Sequence, residues 1–533
     1  MPRRRWPAAL IVLLVGALGG LLPGWVTGDA PWTVDAARGM PEFEDVPCWS
    51  PGAAAVPVRC GYLTVPESRQ RPNGRFIRVA VAILSPEGVP PATMPAPLVH
   101  LAGGPGAPAG LSGPVFETWL DWYAHWAGGR RRALILVDQR GTGESEPRLY
   151  CDPEVFERMM RAYFGAAVPR DPVAHAAWWR DFLVECRAPF DDAGVDVTAY
   201  NTAENAADLV DLRRALGIAQ WDVWGVSYGT ELALELLRID EAGTRTLILD
   251  SVSLYNHPEV VVGNVAAAFD RALIQVVRDC LLDEGCKTAF PLLSSGLSHG
   301  LTRLNLRPER LTLSGSNEWD GARFVLDGGR AVELLLEAMY FSDFVPVVPA
   351  TIFSFGLGNP EPVHRLANFM IAEGAMPPMA ELMHVSTNCR AAPRGEALRR
   401  LADQEGRYPG YAVLWSAAFH QTVCAAWNVP AAEPEELLPV HSDVPALILG
   451  GRYDPITPPE WGRIVAEWLP NSTVIEFPHL AHGSVSLDYC ADRIAATFLD
   501  WPDGNPQHPC VTDLGPPRFL LPGNGEPLEL ADP

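Results

Sequence analysis

Chemistry in this chain starts from one serine set between glycines, Gly225-Val226-Ser227-Tyr228-Gly229. The motif follows the apolar run Trp221–Val226 and opens a helical run, Thr230-Glu231-Leu232-Ala233-Leu234. Between a strand and a helix, G-x-S-x-G reads as a nucleophile elbow: the glycines let the two elements pass closely, and the serine sits on a strained turn. Its hydroxyl needs a base, and the base needs a carboxylate to orient it. With such an elbow, the acid and then the histidine follow the serine along the chain. Asp454 comes after the strand pattern Ala446–Leu449, within Gly450-Gly451-Arg452-Tyr453-Asp454-Pro455-Ile456-Thr457-Pro458. His482 comes after Thr473–Phe477, within His479-Leu480-Ala481-His482-Gly483-Ser484. Both are loop positions at strand ends, where a rigid scaffold holds catalytic groups. His479 is the rival base, and Asp250, at the end of Thr246–Leu249, is the rival acid. His482 is preferred because a glycine follows it and it lies further out in its loop. Asp250 reads as structural.

Acyl transfer also needs N–H donors where an oxyanion forms. Tyr228, directly after the serine, supplies one from its backbone. The second belongs to the glycine loop after Leu98–Ala102, Gly103-Gly104-Pro105-Gly106, with Gly103 favoured and Gly104 next. The expected catalytic set is therefore Ser227, Asp454 and His482, served by Tyr228, Gly103 and Gly104. These residue types imply no metal and no organic cofactor.

Positioning such a set takes a sheet with its strand ends in line. Strand patterns run at Phe76–Leu84, Leu98–Ala102, Ala133–Val137, Trp221–Val226, Thr246–Leu249, Ala446–Leu449 and Thr473–Phe477. Several are short continuous apolar runs bounded by Gly, Pro or Asp, as in strands buried on both faces of a parallel sheet. Thr202–Leu216 reads as a helix, with Thr202 as cap, an apolar stripe at Ala206, Leu209, Leu212 and Leu216, and Gly217 as stop. This alternation predicts an α/β fold with a mostly parallel, doubly wound sheet. The rhythm breaks between about Leu254 and Pro439, where helical patterns such as Val260–Leu282 and Ala331–Phe341 dominate, and resumes at Val444. A helical lid inserted over the sheet's C-terminal edge is expected there. The division that follows is 1–30 for an N-terminal signal, 31–254 for the first part of the core and 255–440 for the mainly helical lid. Residues 441–533 complete the core and end in a Pro/Gly-rich tail, irregular from Trp501 onward.

Composition narrows the classes. A chain of 533 residues suits one large domain plus an inserted one. Apolar residues at 48% and charged residues at 20% exclude wholesale disorder. A net charge of −23 repels a phosphate backbone and argues against nucleic acid as a partner. Arg3, Arg4 and Arg5 precede the apolar run Ala8–Leu22, which ends at Pro23-Gly24. That is the pattern of a secretory signal, shorter than the roughly 20 residues of a membrane span. Ala30 and Ala36 mark a cleavage site poorly, so an uncleaved membrane anchor is the alternative. The expected location is secreted or periplasmic, with no stable membrane association unless that segment stays attached. The ten cysteines agree with export, being even in number and mostly in near pairs. They lack the tight Cys-x-x-Cys and histidine spacing of a metal site. Pairing of neighbours gives Cys48–Cys60, Cys151–Cys186, Cys280–Cys286, Cys389–Cys424 and Cys490–Cys510; buried free thiols are the alternative.

Three segments together resemble the proline iminopeptidase branch of the α/β-hydrolases: Gly103-Gly104-Pro105-Gly106, Asp138-Gln139-Arg140-Gly141-Thr142-Gly143-Glu144-Ser145 and Gly225-Val226-Ser227-Tyr228-Gly229-Thr230. Asp454-Pro455-Ile456-Thr457-Pro458, with the His482 loop and Cys490, is similar to the TAP-like C-terminal region of secreted tripeptidyl aminopeptidases. Cys60-Gly61-Tyr62-Leu63-Thr64-Val65-Pro66 is similar to the start of their mature domain. The similarity runs from about Cys48 to Cys510 and is weakest in the lid. It implies the α/β-hydrolase fold and a secreted serine hydrolase that releases short peptides or residues from peptide N-termini. Asp138 and Arg140 would then form a structural turn beneath the site. Relatives often carry an acidic residue just after the lid cysteine, whereas this chain reads Asn388-Cys389-Arg390. An exopeptidase needs carboxylates for the substrate's ammonium group. The lid offers Glu318, Asp320, Glu333, Glu337 and Asp343, most of them expected on solvated helix faces. Two other readings remain: an esterase or other small-molecule ester or amide hydrolase, and a non-catalytic binding protein on a hydrolase scaffold. The ligand in each case is a peptide or a small ester or amide; oligomeric state is not written in the sequence.

Overall fold

The computed structural model describes residues 41–50, 56–86, 94–126, 132–165, 171–254, 264–317, 319–372, 379–405, 416–504, 509–511 and 514–522. The expected signal at 1–30 and the expected helix start at Val260 lie outside them. Eleven strands occur among these residues: β1 (Glu42–Val46), β2 (Val58–Pro66), β3 (Phe76–Leu84), β4 (Leu98–Leu101), β5 (Leu134–Val137), β6 (Trp221–Val226), β7 (Thr244–Asp250), β8 (Glu309–Thr312), β9 (Arg323–Leu326), β10 (Ala446–Gly451) and β11 (Ser472–Phe477). Nine of them form one sheet in the order β1-β2-β3-β5-β4-β6-β7-β10-β11. From β5 across to β11 every neighbouring pair is parallel, while β1, β2 and β3 make an antiparallel edge that joins β5. The chain is an α/β-hydrolase in architecture, with helices covering both faces.

The apolar runs explain the parallel half. All residues of β4, β5 and β10 are buried, because helices pack on both sides of these strands. Within β6, Trp221 and Val223 enter one core while Trp224 enters the other, beside Trp119, Trp122 and Trp126. The register then aligns the functional edge: Val226 of β6 and Leu449 of β10 both lie opposite Asp250 of β7. The loops that leave β6, β7 and β10 therefore start at one level.

Two helix boundaries differ from the expectation. The helix over Thr202–Ala215 is capped by Asn201, whose side chain accepts from Glu204 N at 3.0 Å, so Thr202 is its first residue and not its cap. The helix Gly328–Tyr340 begins before Ala331, because Asp327 accepts from Arg330 N and outweighs the helix-breaking Gly328-Gly329 pair. Between β7 and β10 the described chain is mainly helical and includes the small antiparallel β8–β9 ribbon. The cysteines form the five neighbour bonds Cys48–Cys60, Cys151–Cys186, Cys280–Cys286, Cys389–Cys424 and Cys490–Cys510. Among the described residues no helix is long and apolar enough to cross a membrane.

Candidate active site

Ser227 caps the helix Tyr228–Asp240 with φ 56° and ψ −125°. A non-glycine residue in that region is strained by about 1–3 kcal/mol, a cost the surroundings must impose. Here they do. Ser227 N–H donates to Asp250 O at 3.0 Å, and Ser227 O accepts from Thr230 N at 2.8 Å and from Thr230 Oγ1 at 2.6 Å. The flanking glycines are a steric necessity. A Cβ on Gly225 would meet Gly229 O at 2.2 Å, and one on Gly229 would meet Leu101 O at 2.0 Å.

Asp454 is fully buried in the turn after β10. Its Oδ1 accepts from Ile456 N at 2.9 Å and Thr457 N at 2.8 Å, and its Oδ2 accepts from Thr457 Oγ1 at 2.7 Å. His482 Nδ1 donates to the same Oδ2 at 2.8 Å. Burial alone would raise the Asp454 pKa, but the histidine, the Ile456 N–H and the threonine outweigh it and hold the carboxyl below its usual range. Tyr340 covers the imidazole, with ring centroids 4.4 Å apart, and Tyr340 O accepts His482 N–H at 3.2 Å. His482 Nε2 and Ser227 Oγ are both buried, and neither takes a hydrogen-bond partner from the described protein. They are thus not bonded to each other here, as is common before substrate closes a site.

Tyr228 opens its helix, so its N–H is one of the first four without an intrahelical acceptor. Gly103 faces the serine: a Cβ there would lie 3.0 Å from Ser227 Cβ. The following Gly104, with φ 116°, turns the loop into Pro105. That loop is pinned from three sides. Gln139 Nε2 donates to Ala102 O at 2.9 Å, His384 Nδ1 to Pro105 O at 2.6 Å, and Ala380 N to Gly106 O at 2.9 Å.

The rivals have other partners. His479 Nε2 donates to Asp488 Oδ2 at 3.0 Å, where Asp488 caps the helix Tyr489–Asp500. Asp250 Oδ2 accepts from Ser484 N at 3.0 Å and Val485 N at 2.8 Å, and Oδ1 accepts from Ser484 Oγ at 2.7 Å. Ser251 Oγ accepts from Gly483 N at 2.8 Å. The β7 end therefore anchors the loop that carries His482. Asp138 and Arg140 sit in a turn: Asp138 accepts from Glu144 N and Gly110 N, and Arg140 is clamped on Asp208 and the carbonyls of Glu67 and Ala199.

Of the acidic residues in the insertion, Asp320 and Asp343 are exposed and Glu318 lies outside the described residues. Glu333 and Glu337 are different. Glu333 accepts from Tyr163 Oη at 2.8 Å, and burial raises its carboxyl to about 7. Glu337 is only 5% exposed, with both carboxyl oxygens buried and without partners. Burial, then the nearby Glu333, push it well above the carboxyl range. It lies three residues before Tyr340, one turn or ~4.5 Å of helix away. Arg390 does not oppose these groups with a free charge, because Glu436 pairs with it, Nε donating to Oε2 at 3.1 Å.

Sequence reasoning missed Tyr340 and His384, which reach the site from elements remote in sequence and have no motif around them. Thr457 lay inside a quoted motif, and its spacing of three from Asp454 is the signal that could have found it. Among the described residues no group of three or more His, Cys, Asp or Glu is placed to hold a metal.

Comparison with known proteins adds four findings. Residues 411–509 match the family described as TAP-like protein. Over 218 residues the chain is 31% identical to the tripeptidyl aminopeptidase of Streptomyces lividans, covering 41% of this chain and 39% of that one. Over 521 residues it is 25% identical to the serine protease Hip1 of Mycobacterium tuberculosis, covering 92% and 94%. A probable proline iminopeptidase of Streptomyces coelicolor is 29% identical over 189 residues, 34% of this chain and 43% of that one. The match thus spans about two fifths of the tripeptidyl aminopeptidase.

Proposed function

We propose that this chain, an α/β-hydrolase with a TAP-like C-terminal region, is a secreted serine exopeptidase acting at peptide N-termini. The observation that carries the chemistry is the Asp454–His482 bond at 2.8 Å, with His482 Nε2 and Ser227 Oγ both buried and otherwise unpartnered. In the mechanism, Ser227 Oγ attacks the scissile carbonyl carbon while His482 Nε2 takes the hydroxyl proton. Asp454 holds Nδ1–H and stabilises the imidazolium. The oxyanion meets the N–H groups of Tyr228 and of the Gly103-Gly104 loop. The C–N bond then breaks, His482 passes its proton to the leaving amine, and water hydrolyses the acyl-enzyme by the same steps.

The direction of attack is read from Glu337 and Glu333. Two carboxyl groups one turn apart, one without a partner, make a poor resting arrangement and a good receptor for an ammonium group. The insertion over 255–440 acts as a lid in this reading and admits a chain end. The names of the relatives agree with peptide substrates.

Labelling with a fluorophosphonate, followed by matched substrates, tests the reading. Stoichiometric labelling at Ser227 is expected, with kcat/KM on a free tripeptidyl amide far above that on its N-acetylated counterpart. Equal cleavage of both, or cleavage of p-nitrophenyl esters alone, replaces the exopeptidase with an esterase. No labelling leaves a binding protein.

A further inference from the structure

A cleft opens beside Ser227, on the face of the sheet where Trp119, Trp122 and Trp224 pack. Ser227, Gly103 and Gly483 line its inner end. One rim is the chain at 108–110 with Val115, and the other is Val485, Ser486 and Leu487. His100 of β4 and Trp224 of β6 form the floor, ring centroids 4.5 Å apart.

Its place follows from the proton. The leaving nitrogen takes its proton from His482, so the chain after the scissile bond must leave Ser227 along the histidine loop. Gly483, next in sequence to His482, lines this cleft, and so does Gly103 of the oxyanion loop. A group seated here lies beside Ser227, between the loop that carries His482 and the glycine loop, on the side a departing residue would take.

Its walls set what fits. They are mainly Val115, Trp119, Trp224, Val226, Val485 and Leu487. The ionisable groups facing it are His100 and Asp250, and neither offers a cation or a free carboxylate oxygen to a ligand. Burial pushes His100 down to about 3, so its ring is neutral. The Asp250 carboxylate oxygens are already engaged by Ser484 and Val485. A charged side chain would lose its water here and find no counter-ion with a free hydrogen-bonding atom.

We propose that this cleft is the subsite for the side chain of the residue just after the scissile bond, and that it selects apolar, uncharged side chains. The inference rests on the serine-exopeptidase reading above. It is tested on peptides identical up to the scissile bond and bearing Ala, Val, Leu, Asp or Lys after it, with products identified by mass. The wild type should show kcat/KM about ten-fold or more higher for Val and Leu than for Asp and Lys. Val115→Phe narrows the cleft. It should lower kcat/KM on the Leu peptide about ten-fold relative to the rate of fluorophosphonate labelling, whose leaving group is only fluoride. Leu487→Arg should raise the Asp-to-Val ratio by about ten-fold. A wild type that labels at Ser227 but cleaves all five peptides alike, with neither ratio moved in the variants, overturns the subsite and leaves the serine-exopeptidase reading standing. A wild type that does not label removes both.

Discussion

Asp250 holds two residues of the site at once, although it takes no part in the attack. Its backbone oxygen fixes Ser227 N–H and its carboxylate fixes Ser484 and Val485, the chain just past His482. Asp250→Ala leaves two buried N–H groups unsatisfied, at about 1–3 kcal/mol each. Lower thermal stability and lower kcat should appear together in that variant. Ser227→Ala should keep the fold and lose nearly all turnover, and Asp454→Asn should lower kcat by about 10⁴ by favouring the wrong histidine tautomer. His482→Ala should abolish turnover while His479→Ala only weakens the cap at Asp488; steady-state kinetics on both, with circular dichroism as a fold control, decides the base. The closeness of Asp454 to His482 was legible because each lies just past an apolar strand, and parallel strands bring their ends together. Tyr340 was not legible: it is 142 residues from His482 in sequence, and only the packing of the insertion brings the rings together.

The helix Gly328–Tyr340 links the two halves of the proposed chemistry, with Glu333 and Glu337 along it and Tyr340 on the imidazole at its end. Both glutamates carry raised pKa values, so folding favours their protonated forms. As pH rises past the ordinary glutamate value of 4.5, the unfolded chain releases these protons first and the folded state loses ground, for Glu333 until about 7. Each unit of difference is worth about 1.4 kcal/mol. Glu337→Gln cannot ionise, so its thermal midpoint should fall less than that of the wild type as pH rises above the ordinary glutamate value of 4.5. The same variant should lose most of the preference for free over acetylated N-termini. A midpoint curve parallel to that of the wild type would show that Glu337 does not titrate as described. At this scale the parallel strands were readable as continuous apolar runs. The β1 strand was not, because Glu42, Glu44 and Asp45 face solvent and its pairing with β2 supplies what its composition lacks. The four-residue strands β8 and β9 give too short a period to register.

Across the whole molecule, the five disulfides leave no free cysteine among the described residues. Alkylation of the native protein should add nothing, whereas reduction first should expose all ten thiols and lower the thermal midpoint, each bridge being worth about 2–4 kcal/mol. Mass measurement of both samples checks it. The proposed export through an N-terminal signal beginning at Arg3–Arg5 would fit that oxidised state, and N-terminal sequencing of the secreted protein tests removal of roughly the first 30 residues. Two bonds hold the histidine loop from a distant part of the chain: Ala481 N–H donates to Ser342 Oγ at 2.9 Å, and His482 N–H donates to Tyr340 O at 3.2 Å. Both acceptors belong to the chain between β7 and β10, the proposed lid, so the backbone that carries His482 is partly held by it. The insertion is therefore no interchangeable attachment. A chimera that exchanges it for another hydrolase's cap, in order to graft a new specificity, must carry residues 340–342 across the junction or deliver a histidine that has lost two of the bonds setting its angle.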